Sequence, residues 1–294
     1  MFKSVAYFVP VVVSVVLVVI AGSLMPAPAA WLLMIAGPAV AVSLLLGAGE
    51  RVAAQLLCGA RLLTPTEQQA LAPAVAILAQ RGLGPPSLEL AGSRSPSAGV
   101  YATGVGRRTV IVSEGLLTTA RARRLPPQEI AAVIAHGAVI VRSGAVRNDL
   151  ALTYWTIPWR LAVLVVAGIG RLLWPMRPLF RGGWMIRALP MSIAIVQTAQ
   201  EGVPAISAVI LALLVTTYAH PWAQRAWARR LQNLGDRGVI EVGLAAPLAD
   251  FLARFPTTPR LDERTYLLNQ HRETAPTTTP HLRLVTTTPQ GARS

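Results

Sequence analysis

His136 is the side chain in this 294-residue sequence whose type and setting most invite chemistry. An imidazole ligates metals through its ring nitrogens and moves protons near neutral pH, and a single imidazole among aliphatic residues serves equally well as a core side chain. Counting at helical spacing, Glu129, Val133, His136 and Ile140 share one face, so the ring projects among Val and Ile with one carboxylate two turns away. Asp149, Glu201, His220 and Asp236 are the other groups that would have to be drawn in to complete a site around it. Cys58, the only cysteine, excludes an internal disulfide. Its neighbours Leu56, Leu57, Gly59 and Ala60 offer nothing to stabilise a thiolate, so it packs as a small apolar residue.

The element that must position His136 runs from Leu125 to Gly144. Pro126 and Pro127 suit a first turn, Gln128 and Glu129 favour the positive end of the helix dipole, and Gly144 stops it. Around it the composition is that of a membrane protein, with 53% hydrophobic and only 14% charged residues. The net charge of +14 comes from basic residues scattered along the chain. With no run of five or six, nucleic acid is not the expected partner; the headgroups of a lipid bilayer are. Lys3 is the only lysine among the 27 basic residues.

No charged residue lies between Ser4 and Gly49, and Met25-Pro26-Ala27-Pro28 divides this stretch into two apolar runs, each long enough to cross a bilayer. The first is longer than a signal-peptide core, and Lys3 is its only leading charge, so residues 1–50 read as a transmembrane helical hairpin. Lys3, Arg51 and Arg61 put both of its ends in the cytoplasm, and the protein in the cell membrane as a multi-pass chain. Residues 51–148 have the balance of a soluble domain. Thr64-Pro65-Thr66-Glu67 starts a helix with Thr64 or Thr66 as cap, and Gly82 ends it. Ser87-Leu88-Glu89-Leu90, Tyr101-Ala102-Thr103-Gly104 and Arg108 to Ser113 read as short strands of a small sheet or hairpin about Val105-Gly106.

Residues 149–222 form a second hydrophobic hairpin. Its first segment runs from Leu150 to Trp174, with Arg160 near the middle, and its second from about Ala188 to Trp222, broken at Glu201 and Pro204. Arg171, Arg177, Arg181 and Arg187 lie between them, against the usual charge bias for an external loop. The pair spans, dips in and returns, or lies on the surface with Trp155, Trp159, Trp174, Trp184 and Trp222 at headgroup level. Residues 223–256 read as an interrupted helix weakened by Gly235, Gly238 and Gly243. The tail, 257–294, is rich in Thr, Pro and Arg and is expected to be disordered apart from Tyr266-Leu267-Leu268; His271 and His281 belong to it and receive no role.

Glu129-Ile-Ala-Ala-Val-Ile-Ala-His136, ahead of the second hairpin and the later Arg229-Arg-Leu-Gln-Asn-Leu-Gly-Asp236, resembles the membrane zinc metallopeptidases of the HtpX and CAAX prenyl endopeptidase type. Ala102-Thr103-Gly104, Val110-Ile111-Val112-Ser113 and Gly115-Leu116-Leu117 match that family's strand, turn, strand and helix start. The resemblance implies a mainly α membrane protein with an N-terminal transmembrane hairpin, a zincin-like helical domain split around the second hairpin, and a small β-sheet. It also implies a sheet edge at Tyr101, Ala102, Thr103, Gly104, Val110 and Val112 that holds a peptide as an added strand.

The family's His-Glu-x-x-His reads here His136, Gly137, Ala138, Val139, Ile140, and its third-ligand Glu and supporting Asp fall on Gln232 and Asp236. A catalytic zinc needs about three protein ligands, an open position and a base. His136 alone remains a good ligand, Ile140 has no donor, Gln232 offers a neutral carboxamide, and Gly137 has no side chain. Glu129 lies roughly 10 Å along the axis from His136 at about 1.5 Å per residue. No cofactor is therefore expected, and the expected function is binding of peptide or membrane-protein partners by a degenerate, inactive member of the family. Two alternatives stand beside it: an active zinc endopeptidase with a rearranged site, acting in membrane-protein quality control, and a membrane structural protein unrelated to peptidases.

Overall fold

The structure is a computed structural model that describes residues 2–84, 88–95, 99–172, 183–255 and 259–274. The helices are α1 (Phe2–Ser23), α2 (Ala27–Leu46), α3 (Glu50–Leu57), α4 (Pro65–Gln80), α5 (Glu114–Arg121), α6 (Pro127–Arg142), α7 (Asp149–Trp155), α8 (Ile157–Leu172), α9 (Gly183–Gln200), α10 (Pro204–Glu241), α11 (Ala245–Leu252) and α12 (Pro259–Thr274). Four short strands, β1 (Ala60–Arg61), β2 (Glu89–Ser93), β3 (Ala102–Val105) and β4 (Thr109–Val112), form one sheet in the order β1-β2-β4-β3. Only the β2–β4 pair is parallel. The protein is mainly helical, with a small sheet and apolar helices of membrane type.

Helix α6 is the centre of the core. Its Ile130, Ala131, Ala132, Ile134, Ala135, Ala138 and Val141 are buried, and it packs on α4, α10, α11 and strands β3 and β4. A helix apolar on nearly every side is stable only when it is enclosed, and the alanines let its neighbours come close. The start of α4 is fixed by Thr64, whose hydroxyl accepts from the Glu67 amide while the Glu67 carboxylate accepts from the Thr64 amide. Arg61 of β1 donates to both oxygens of Glu67, at 2.7 and 2.8 Å, and to Glu114 of α5 at 2.7 Å, tying sheet, α4 and α5 together.

Among the described residues, three helices are long and apolar enough to cross a membrane: Lys3–Ser23, Ala27–Leu46 and Pro204–Glu241. At 38 residues, α10 extends about 57 Å, nearly twice a hydrocarbon core of about 30 Å. The stretch apolar enough to cross is the uncharged half from Pro204 to Pro221, and the half from Arg225 onward packs on α6. Lys3 fastens the start of α1 to this body. Its Nζ donates to the Ala145 carbonyl at 2.8 Å, lies 2.6 Å from Asp149 and stands 5.4 Å over the Trp227 ring.

Several expectations change. The run from Leu150 to Trp174 is not one segment: α7 ends at Trp155, α8 starts at Ile157, and Arg160 falls in its first turn. Buried Thr156, whose hydroxyl donates to the Thr153 carbonyl, marks the break. The boundary at 222/223 lies within α10, which is continuous, and Gly235 and Gly238 do not interrupt it; α6 packs onto both. Gly243, at φ +73, ends that region, as Gly144 at φ +71 follows α6. The tail is not wholly irregular: 259–274 form α12, with Leu268 buried, because Leu261 and Leu268 recur at helical spacing. Trp174, Arg177, Arg181, His281 and the rest of 275–294 lie outside the described residues.

Candidate functional site

His136 meets α10 at Gly235. A methyl group on Gly235 would stand 2.4 Å from the imidazole Nε2, so the ring lies directly on the α10 backbone, in space only a glycine leaves. Nε2 is 3.3 Å from Oδ1 of Asp236, with a geometry too bent for a hydrogen bond. Asp236 is itself gripped from α12, where Arg264 Nε donates to Oδ2 at 2.8 Å and Nη2 to Oδ1 at 2.7 Å. Burial works to raise the Asp236 pKa, but His136 and the Arg264 guanidinium outweigh it and hold the carboxyl below its ordinary range. The three helices are thus joined through one His–Asp–Arg cluster.

This cluster does not fit zinc. His136 Nε2, the nitrogen facing α10, looks onto a carboxylate whose two oxygens already accept from a guanidinium, and that fixed positive charge opposes a cation. Ile140, one turn on from His136, is buried in the hydrophobic core. Gln232 is half-buried one turn before Asp236 on α10, a neutral group where a carboxylate would bind far better. Among the described residues, no group of three or more His, Cys, Asp or Glu side chains is placed to hold a metal.

Position 137, where the resemblance would put a base, is closed as well. A Cβ on Gly137 would meet Val110 Cγ1 at 3.1 Å and the Gly104 amide nitrogen at 3.3 Å, and one on Gly104 would come within 2.5 Å of the Gly137 carbonyl oxygen. Helix and strand therefore touch backbone to backbone. Even a methyl at 137 is tight, and a carboxylate side chain requires β3 to move outward.

The groups that would have to complete a shifted site are held elsewhere. Glu129 accepts from Arg254 Nε and Nη2 at 2.9 and 2.6 Å. Asp149 faces Lys3, with burial pushing its carboxyl pKa up in spite of that lysine. Glu201 is exposed in the turn before α10, and His220 lies in the apolar half of α10. Burial pushes the Cys58 thiol up, against the thiolate form.

The expected peptide edge is narrower than the sequence implied. Val110 and Val112 belong to β4, an interior strand with β2 and β3 on either side, and both are fully buried. The edge strand is β3, with Ala102, Thr103 and Gly104; no strand among the described residues pairs its outer side. Tyr101 precedes it, half-exposed, its carbonyl accepting from the Ser113 amide at 3.0 Å. By the alternation of an antiparallel ladder, that bond turns the backbone groups of Ala102 and Gly104 outward. Thr103 is exposed, and Gly104 abuts α6 at Gly137.

Arg264 and Gly235 were missed by the sequence reading. The spacing of Leu261, Arg264 and Leu268 marks one face of a helix, but nothing in the sequence aims that face at Asp236. Gly235 looked like a weak point, because a glycine that admits a neighbouring ring is indistinguishable in sequence from one that loosens a helix. No family model, curated protein or solved structure matches the chain.

Proposed function

We propose that this is a multi-pass membrane protein on a zincin-like scaffold, without peptidase activity, that binds a peptide or a membrane-protein partner as a strand added to β3. The carrying observation is that the groups at the resemblance's ligand and base positions are bound to one another or packed shut. Asp236 holds Arg264 with both oxygens, His136 sits against Asp236 and Gly235, and Gly137 touches Gly104. The free side of β3 runs beside α6, where the resemblance puts a substrate strand. Lys3 and the arginines of the second half of α10 lie on the same side as the α6 body, which supports a cytoplasmic location for that body.

Metal analysis of the full-length chain purified in detergent, with and without added zinc, tests the absence of a catalytic centre. Substoichiometric zinc, unchanged in His136→Ala, is expected. Stoichiometric zinc lost in His136→Ala, together with chelator-sensitive proteolysis, would overturn the reading and establish the rearranged peptidase. The binding edge is tested by a photocrosslinker at Thr103: capture of a peptide chain that Ala102→Pro abolishes is expected, since proline deletes an outward N–H. Capture unaffected by that proline would refute strand addition.

A further inference from the structure

Between α6 and α10 lies a groove of about 1050 Å³ whose lining includes Leu83, Arg142, Trp222, Arg229, Arg230 and Arg237. Trp222, Ala226, Arg229, Asn233 and Arg237 recur at helical spacing, so α10 presents them as one stripe, and Arg142 enters from the end of α6. Among the described residues, none of these four arginines is paired with a carboxylate; Arg142 donates only to the Gly82 carbonyl, at 3.3 Å. Glu241 is the single acid in the lining. In the cleft at the other end of α6, Arg121 and Arg254 are neutralised by Glu114 and Glu129, and Arg123 and Arg124 are the arginines left without a carboxylate among the described residues.

Lys3 fixes the level of this groove relative to the bilayer. It is the last charge before the apolar run of α1, and its Nζ bonds Ala145 and stands over Trp227, so those two residues share the membrane surface with it. Arg142 is three residues before Ala145, and Arg229 and Arg230 are two and three residues past Trp227. Trp222 follows the uncharged half of α10 directly, where an indole sits at the boundary of the hydrocarbon. The guanidiniums therefore ring the headgroup layer, beside the apolar length of α10 along which acyl chains run.

We propose that this groove is a binding site for the phosphate headgroup of one anionic phospholipid, with Arg142, Arg229 and Arg230 holding the phosphate and Trp222 lying at the glycerol level. Unpaired guanidiniums match phosphate oxygens in a two-point fork, and basic residues clustered just beyond a membrane span attract anionic headgroups. The proposal rests on the membrane location and not on the inactive-peptidase reading, and its test does not involve zinc or β3.

The test titrates the full-length chain in nonionic detergent with dioctanoyl phosphatidylglycerol and counts bound lipid by native mass spectrometry. One equivalent is expected to bind saturably. The triple variant Arg142→Gln, Arg229→Gln, Arg230→Gln should lose about a hundredfold in affinity, at about fivefold per arginine. Arg230→Gln alone should lose about fivefold, and circular dichroism should be unchanged because all three side chains are exposed. The double variant Arg123→Gln, Arg124→Gln, in the other cleft, should bind as the parent does. Equal binding of dioctanoyl phosphatidylcholine, equal binding of inorganic phosphate, tighter binding of an acidic peptide, or undiminished affinity in the triple variant would each overturn the proposal.

Discussion

Replacing Gly235 by alanine separates the cluster described here from an ordinary helix crossing, because the sign of the effect depends on one other residue. The added methyl would lie 2.4, 2.6 and 2.7 Å from Nε2, Cδ2 and Cε1 of His136, about 1 Å inside normal contact. The ring has little freedom to retreat, since Asp236 and Arg264 stand on its α10 side and the α6 core lies behind it. Overpacking of this kind costs about 2–3 kcal/mol, while exchanging a helix-interior glycine for alanine returns about 1 kcal/mol. Gly235→Ala should therefore destabilise the parent protein by about 1–2 kcal/mol. In a His136→Ala background the obstacle is gone, and the same change should stabilise by about 1 kcal/mol. Thermal unfolding of the detergent-solubilised full chain, followed by circular dichroism, reads both steps: a fall of roughly 2–6 °C in the first background and a rise of roughly 2–4 °C in the second. An effect of the same sign and size in both would refute the placement of the imidazole on Gly235, and with it the convergence of α6 and α10 at this point.

Glu67, buried and gripped by Arg61, has its pKa lowered to about 2, with burial opposing and the Thr64 amide assisting. A carboxylate depressed in the folded state contributes stability above its unfolded pKa near 4.5 and loses it as pH falls toward about 2. Allowing for solvent around the partly exposed Arg61, that contribution is on the order of 2 kcal/mol, and Glu67→Gln should remove it at neutral pH and flatten the acid limb of the stability curve. An acid limb identical to the parent's would show that the Arg61–Glu67 pair does not hold α4 to the sheet. For Asp236 and Arg264, a double-mutant cycle with Asp236→Asn and Arg264→Gln should give a coupling of about 1.5–3 kcal/mol, as for a hydrogen-bonded charge pair. Additive effects would place α12 elsewhere than on α10.

The sequence by itself determined the elements whose signals are local. An uncharged stretch from Ser4 to Gly49 fixes two apolar helices, and Thr64 with Glu67 fixes a helix start by reciprocal hydrogen bonds within four residues. The glycine at 106 fixes a turn by its positive φ, and the apolar enclosure of α6 follows from its Ala, Val and Ile residues on either side of His136 and Gly137. It also bounded what the helix around His136 can ligate, because Ile140 carries no donor atom and Gly137 no side chain in any fold.

Only the tertiary structure decided what those positions became. That Gly137 is pressed on Gly104, that Gly235 admits an imidazole, and that Val110 and Val112 lie inside the sheet depend on which backbones approach each other, and a glycine or a valine reads the same in sequence whatever faces it. Arg264 joins Asp236 across 28 positions of chain from a segment whose Thr- and Pro-rich surroundings resemble a disordered tail. Its helix gains its order from packing Leu268 and from that ion pair, interactions that exist only once α10 is already in place.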